Sequence, residues 1–307
     1  MTALEVRTLA QSCGFELAGV APVGPSPDFE RYREWIAHGF AGEMGYLTDH
    51  RAAVRADPRE ILPSARFVIV VAKLYNTPVG EEDEARISRY ARGDDYHDIL
   101  RRDLEKLAIA LSPHHEYRIC VDTVPLLERS WARAAGLGWI GRNTCLINQD
   151  VGSWLFLGEL LTSHEIEPDL AAAPPPDRCG TCTRCIDACP TQALTPYELD
   201  ATRCISYFTI ELRGPIPNEF HAAIGNHVFG CDICQQVCPW NSRAPVTADP
   251  AFQPRFETAP SLERMAALTE QEFREMFRGT PVMRARYAGF QRNVAIAVAN
   301  RTGTGRV

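Results

Sequence analysis

Four cysteines spaced Cys179-x2-Cys182-x2-Cys185-x3-Cys189, followed at once by Pro190, restrict this chain more than any other stretch. The spacing is that of bacterial ferredoxins. Three thiolates at three-residue intervals on a tight loop can hold three corners of one four-iron cubane, while the fourth, starting a helix after a turn, serves another. A modified copy follows. Reading back from Cys238-Pro239 gives Cys234 and Cys231, but Val228 stands at the next expected ligand position. Cys204, 27 residues before Cys231, is the natural replacement. Eight thiolates suit two [4Fe-4S] clusters, and the crossover rule assigns Cys179, Cys182, Cys185 and Cys238 to the first. Cys189, Cys204, Cys231 and Cys234 then hold the second. A pair of zinc sites is the alternative, but four-cysteine zinc sites come as two C-x2-C knuckles rather than three close cysteines followed by Cys-Pro. Cys13, Cys120 and Cys145 lie outside the pattern and read as small buried apolar residues.

The rest of the composition places this block in a reducing compartment. The 307 residues are 45% apolar, enough to bury a core. No apolar run reaches the roughly 18 residues a membrane span needs. The N-terminus mixes Glu5 and Arg7 into an amphipathic pattern and carries no apolar signal core. A cytoplasmic protein without a membrane partner is expected, and there eleven cysteines point to metal ligation or redox chemistry rather than disulfides.

Net charge is −7, which by itself argues against a nucleic-acid partner. The distribution is uneven. From Phe273 to Val307 seven arginines stand against one acid, Glu275, so that segment is +6 and the remainder −13.

The fold class expected is α+β: an N-terminal α/β layered domain over 1–170, a ferredoxin-like module over 171–245 and a short helical tail over 246–307. Leu4, Leu9 and Ala10 suggest a short amphipathic helix ending at Gly14. Phe15–Ala21 reads as a strand, and Phe67–Ala72 as a strand covered on both faces. Leu100, Leu104, Leu107 and Leu111 form one helical stripe. Arg118–Thr123 is a short strand before a helix entered through Pro125. Ser153–Leu157 and Glu159–Leu161 are further strand-like segments. Ala171–Pro176 is the clearest linker. Ser261 reads as an N-cap, and Gln291–Asn300 as a last helix with few neighbours.

Two clusters only carry electrons, so the N-terminal domain needs its own explanation. No dinucleotide fingerprint follows a strand. Gly136–Gly141 looks glycine-rich but lies after a helix, which suits a tight turn with close backbone packing. Arg142, Asn143 and Thr144 behind it could hold polar groups of a ligand or simply satisfy a loop. Asp122 ends a strand, where open α/β sheets place chemistry, although an N-cap or turn aspartate fits the position too. Asp95-Tyr96-His97 begins an Asp-x-His-x-x-Gly corrinoid ligand pattern, but Leu100 stands where the glycine belongs. His97 therefore reads as a helix-start residue.

Several stretches resemble the epoxyqueuosine reductase family, the iron–sulfur and cobalamin enzymes that complete queuosine synthesis in tRNA. They include Gly93–His97, Val121-Asp122-Thr123, Ala135–Trp139, Gly158–Thr162, Arg203–Tyr207 and Gly230–Asn241. The resemblance implies an oxidoreductase that reduces epoxyqueuosine to queuosine, removing the epoxide oxygen as water. It implies a base-off cobalamin fed by the clusters, a tRNA partner with epoxyqueuosine in its anticodon loop, and an external electron donor. Asp122 becomes the expected proton donor. Arg55, Ser88, Asp122, Leu146, Leu157, Ser206 and the Cys231-Asp232 pair match the family's cobalamin pocket. The arginine-rich C-terminal segment offers phosphate contacts that a net-acidic protein otherwise lacks. Familiar members continue into a fuller helical-repeat tail. A corrinoid reductive dehalogenase is a rival reading, but its usual twin-arginine signal and tyrosine donor are not evident. A ferredoxin-like electron carrier with a docking domain is another.

Overall fold

A computed structural model describes residues 1–78, 84–112, 114–167, 174–256 and 260–303. Packing groups the chain into two units, Met1–Leu74 with His97–Cys182 and Tyr75–Tyr96 with Thr183–Val307. Half of the expected linker, residues 171–173, lies outside the described residues. None of the described helices is long and apolar enough to cross a membrane.

The first unit starts with α1 (Ala3–Ser12), whose capping box pairs Thr2 Oγ1 with the Glu5 N–H and the Glu5 carboxylate with the Thr2 N–H. It buries Ala3, Val6 and Ala10 and leaves Leu4 65% exposed. The helix is as expected but its inner face is not, because the short side chains face the sheet. After β1 (Leu17–Pro22) come α2 (Phe29–Ala37) and α3 (Arg51–Val54). Next is β2 (Phe67–Leu74), buried at all eight positions. The chain then crosses to the second unit for β3 (Arg86–Ile87). It returns with α4 (Tyr96–Leu111), β4 (Tyr117–Cys120) and α5 (Glu128–Ala134). The hairpin β5 (Trp139–Ile140) and β6 (Leu146–Ile147) precedes β7 (Leu155–Thr162). The two strand-like segments expected at 153–161 are this one strand.

The sheet runs β1-β2-β7-β4 and every pair is antiparallel. Helices cover both faces. Leu100 and Leu104 of α4 lie over Gly158 of β7, where a Cβ would stand 3.0 Å from Leu104. On the other face α5 and its C-terminal turn press on Gly19 of β1, where a Cβ would come within 2.1 Å of the Ala135 carbonyl. The α4 face also holds a buried ion pair, Lys73 Nζ to Asp103 Oδ2 at 3.1 Å. Lys106 and Arg102 reach the same carboxylate. Burial acts to raise Asp103, but these hydrogen bonds outweigh it and bring it down to about 2.

In the second unit β3 runs parallel to β10 (His227–Phe229), which is why Tyr75–Tyr96 packs with residues far along the chain. Two short helices each carry a cysteine of the pattern, α6 (Arg184–Asp187) holding Cys185 and α8 (Ile233–Gln236) holding Cys234. Between them lie the β8 (Leu194–Thr195) and β9 (Glu198–Leu199) hairpin and α7 (His221–Ile224). The C-terminal helices are α9 (Leu262–Ala267), capped by Ser261, α10 (Glu270–Phe277) and α11 (Arg286–Thr302). Far from lacking neighbours, α11 inserts Phe290, Asn293 and Val294 into the core of this unit. Asn293 is fully buried and its amide donates to the carbonyls of Thr209 and Val228 at 2.8 and 2.9 Å.

Asn293→Ala strips the donor from two buried carbonyls, each worth about 1–3 kcal/mol when left unmade. The expected outcome is a marked drop in melting temperature with the purified iron content unchanged. A melting temperature equal to the parent's would show that the amide is not needed there.

Candidate functional site

In the first unit Asp122 lies two residues beyond the end of β4 and adopts φ 52°, the left-handed region that a non-glycine residue rarely occupies. The turn is held by its own backbone, because the Asp122 N–H donates to Glu128 Oε1 at 2.6 Å. That orientation leaves the Asp122 side chain 59% exposed, with His97 Nε2 3.1 Å from Oδ2. His97 opens α4, as expected of a helix-start residue. The strand end thus presents a carboxyl to solvent while its amide is tied to a second carboxyl.

A third carboxyl lies behind them. Glu159 of β7 is 0% exposed, and neither carboxyl oxygen has a hydrogen-bond partner among the described residues. Burial pushes Glu159 well above the ordinary glutamate value, and the neighbouring Glu128 and Asp122 charges add to it. Burial, then the Asp122 carboxylate, raise Glu128 to about 8. Cys120, buried between the layers, is held up by burial and by the Glu159 charge. The sequence reading missed both glutamates. Glu159 could have been found as the one charged residue in an otherwise apolar strand, Leu155–Thr162.

The expected pocket residues of this unit occupy separate settings. Arg55 is 6% exposed and donates to the Arg51 carbonyl at 2.9 Å, with its guanidinium 5.5 Å from the Tyr32 ring centre. Leu146 and Leu157 belong with the apolar side chains between the sheet and α5. The glycine-rich segment forms the β5–β6 hairpin, with Gly138 pressed against the Ile147 carbonyl. Arg142, just after β5, donates to the Gly180 carbonyl at 2.6 Å. Burial raises the Cys179 thiol, while the Arg142 backbone N–H and the Trp139 side chain hydrogen-bond to it and oppose the shift. The hairpin is therefore a seat for a cysteine, a role the sequence reading did not assign.

In the second unit the structure brings Ser88 and Asp232 together. The Ser88 hydroxyl donates to Asp232 Oδ1, and the Arg89 N–H donates to Oδ2 at 2.8 Å. Gly230, at φ 70°, makes room for Ser88, since a Cβ there would stand 2.6 Å from the serine's. Ser206 hydrogen-bonds to the Cys204 sulfur through backbone and hydroxyl. Cys189, Cys204 and Cys231 are near enough to act on one another electrostatically, and the Ala193 N–H lies 3.3 Å from the Cys189 sulfur. Burial is the first cause that raises Cys231, to about 12, with the Cys204 and Cys189 charges adding to it. All eleven cysteines are free of disulfides. Cys179 and Cys182 belong to the first unit, and the other six expected ligands to the second.

The arginine-rich end is largely engaged. Arg274 pairs with Glu270, Arg284 with Glu211, and Arg301 with Glu84 and Glu263. Arg292 donates to the carbonyls of Phe208, Leu212 and Gly214. Arg278 and Arg286 are exposed, and Arg306 lies outside the described residues. The +6 segment is thus mostly a set of structural contacts rather than an open basic face.

Residues 55–123 match the family described as "Epoxyqueuosine reductase QueG, DUF1730", and residues 178–241 the "4Fe-4S double cluster binding domain". An epoxyqueuosine reductase of Xanthomonas campestris is 40% identical over 319 residues, covering 98% of this chain and 88% of that one. One of Gloeobacter violaceus is 43% identical, covering 97% and 96%. A crystal structure of a selenomethionine-labelled epoxyqueuosine reductase superposes with a TM-score of 0.88 at 31% identity, covering 97% of this chain and 81% of that one. An epoxyqueuosine reductase bound to an epoxyqueuosine-modified tRNA-Tyr stem loop gives 0.87 at 32%, covering 97% and 80%.

Raised glutamates make folding take up protons between the ordinary value of 4.5 and about 8, so stability falls as pH rises through that window. Glu159→Gln removes one of the interacting charges. Its melting temperature relative to the parent is expected to climb progressively from about pH 5 to about pH 8. An offset that stays constant across that range would remove Glu159 from the titration.

Proposed function

The chain belongs to the epoxyqueuosine reductase family and is an oxidoreductase, and from that premise we propose that it reduces epoxyqueuosine to queuosine in the anticodon loop of tRNA. The epoxide oxygen would leave as water, and two [4Fe-4S] clusters and a base-off cobalamin, when bound, would supply the electrons of an external donor. The observation that carries the reading is the Asp122 turn: an exposed carboxyl at a strand end, held in left-handed backbone and faced by His97.

The donor set fits the clusters. Hydrogen bonds to the sulfurs of Cys179, Cys189 and Cys204 suit thiolates that carry charge into iron, and such bonds tune cluster potential. For the cobalamin, Ser88, Ser206, Cys231, Asp232 and Arg55 would supply polar contacts, and Leu146 and Leu157 apolar ones. The fit is supported by the Ser88–Asp232 pair seated under Gly230 and by His97, which is turned to Asp122 as a base-off cofactor allows. When bound, the reduced cobalt supplies a strong nucleophile or reductant toward the strained ring.

The rest falls to the protein. An alkoxide leaves poorly unless protonated, so Asp122 gives its carboxyl proton to the ring oxygen as a C–O bond breaks. His97 fixes the orientation of that carboxyl through Oδ2. Glu128 holds the Asp122 amide and with it the turn. Exposed Arg278 and Arg286 are the C-terminal arginines placed to meet phosphate.

The direct test incubates the full chain with epoxyqueuosine-containing tRNA, cobalamin and a strong reductant, followed by nucleoside mass analysis. Queuosine is the expected product, and its absence with both clusters present overturns the reading. Asp122→Ala is expected to keep clusters and corrin absorbance but lose roughly a hundredfold or more in turnover. Normal product formation by that variant would exclude Asp122 as the donor. Replacing Arg278 and Arg286 together by alanine should weaken tRNA binding and lower the slope of log affinity against log salt by about 1–2. An unchanged slope would remove both from the interface.

A further inference from the structure

Beyond Pro190 the chain folds back over the sulfur of Cys189 instead of running on from it. The Gln192 N–H donates to the Cys189 carbonyl at 3.1 Å, and Gln192 takes φ 53°, the left-handed region that strains a non-glycine residue. That bend brings the Ala193 N–H to 3.3 Å from Cys189 Sγ and Thr191 Oγ1 to 3.6 Å from the same atom. Thr191 is 3% exposed, and among the described residues the sulfur is the hydrogen-bond partner of its hydroxyl. The Thr191 backbone is fixed as well. Arg203 Nε donates to the Thr191 carbonyl at 3.1 Å, and the Arg203 guanidinium lies 5.3 Å from the Phe220 ring centre. All of these residues belong to the second unit. A buried hydroxyl is costly unless it is hydrogen-bonded, and a valine of the same shape would fill the position without that requirement. What the threonine adds is the bond to sulfur.

We propose that the Thr191 hydroxyl sets the reduction potential of the iron–sulfur cluster that Cys189 binds. The proposal rests on the reading of Cys189 as a cluster ligand. A free thiol can be either partner in this bond, but a thiolate sulfur bound to iron has no proton, so Thr191 donates and the sulfur accepts. One electron from the external donor adds negative charge that the thiolate sulfurs share, and a hydrogen bond to sulfur strengthens with that charge. The hydroxyl therefore favours the reduced state and raises the potential. It keeps its proton throughout, and the single electron is the whole of the change. The Ala193 N–H acts in the same sense but belongs to the backbone, so Thr191 is the donor that a side-chain substitution removes. Arg203 and the bend at Gln192 are positioning elements that hold the hydroxyl to the sulfur.

The test loads the full chain with both clusters and follows each by electron paramagnetic resonance during a potentiometric titration, a readout independent of turnover. Thr191→Val removes the hydroxyl and keeps the shape. At a fixed ambient potential it is expected to lower the reduced-to-oxidised ratio of one cluster roughly tenfold, a fall of about 59 mV for a one-electron couple, with the other cluster at the parent's potential. Thr191→Ser keeps a hydroxyl and should show little of that shift. Thr191→Ala is measured beside them, so that poor cluster retention in one variant leaves the other informative. Full iron with the parent's two potentials in Thr191→Val or Thr191→Ala overturns the proposal, as does a shift that Thr191→Ser shows in full. Loss of iron from both Thr191→Val and Thr191→Ala, with Thr191→Ser intact, would make the hydroxyl a support for cluster assembly and overturns the tuning role too. Cys189→Ala separates the two readings, because full iron and unchanged potentials in that variant would remove Cys189 from the ligands, whatever Thr191 does.

Discussion

The register of β7 between β2 and β4 is the constraint on which the first unit depends. Antiparallel pairing puts Val70, Glu159 and Cys120 in one row across the sheet. A slip of one residue would turn Glu159 to α4 and bring Gly158 beneath α5, so that both helices would meet the wrong side chains. The same register brings β4 to its end two residues before Asp122. The turn there relieves an unpaired amide by giving it to Glu128, and the left-handed backbone is the consequence. Fold and candidate chemistry are therefore set by one row of pairings.

Two ways of managing buried charge stand on opposite faces of that sheet. On the α4 side Asp103 is buried but receives Lys73, Lys106 and Arg102, and stays ionised. On the α5 side neither Glu159 carboxyl oxygen has a hydrogen-bond partner among the described residues, and burial raises Glu159 well above the ordinary glutamate value. The difference lies in partners rather than depth, since both side chains are nearly inaccessible. A carboxyl stabilised as its anion is structural.

In the second unit α11 is held by polar side chains as well as by its apolar face. Asn293 bonds the carbonyls of Thr209 and Val228, and Arg292 binds three more on the chain before it. Ion pairs at Arg274, Arg284 and Arg301 draw the nearby basic residues into the same fabric. What reads in sequence as a block of surplus positive charge is mostly a set of fasteners.

Spacing along the chain was enough to locate the double-cluster domain, the α4 leucine stripe and the capping residues, because ligation and helix geometry act over a few residues. Asp122 was legible as a strand-end acid for the same local reason. Periodicity found α1 but not its buried face, since the choice between Leu4 and Val6 depends on what lies across from it. The proximity of Glu128 and Glu159 to Asp122, the cysteine seat made by Trp139 and Arg142, and the pairing of the C-terminal arginines were decided by tertiary structure alone. Each joins residues from different elements, and the sign of a carboxyl's pKa shift depends on neighbours that no sequence interval specifies.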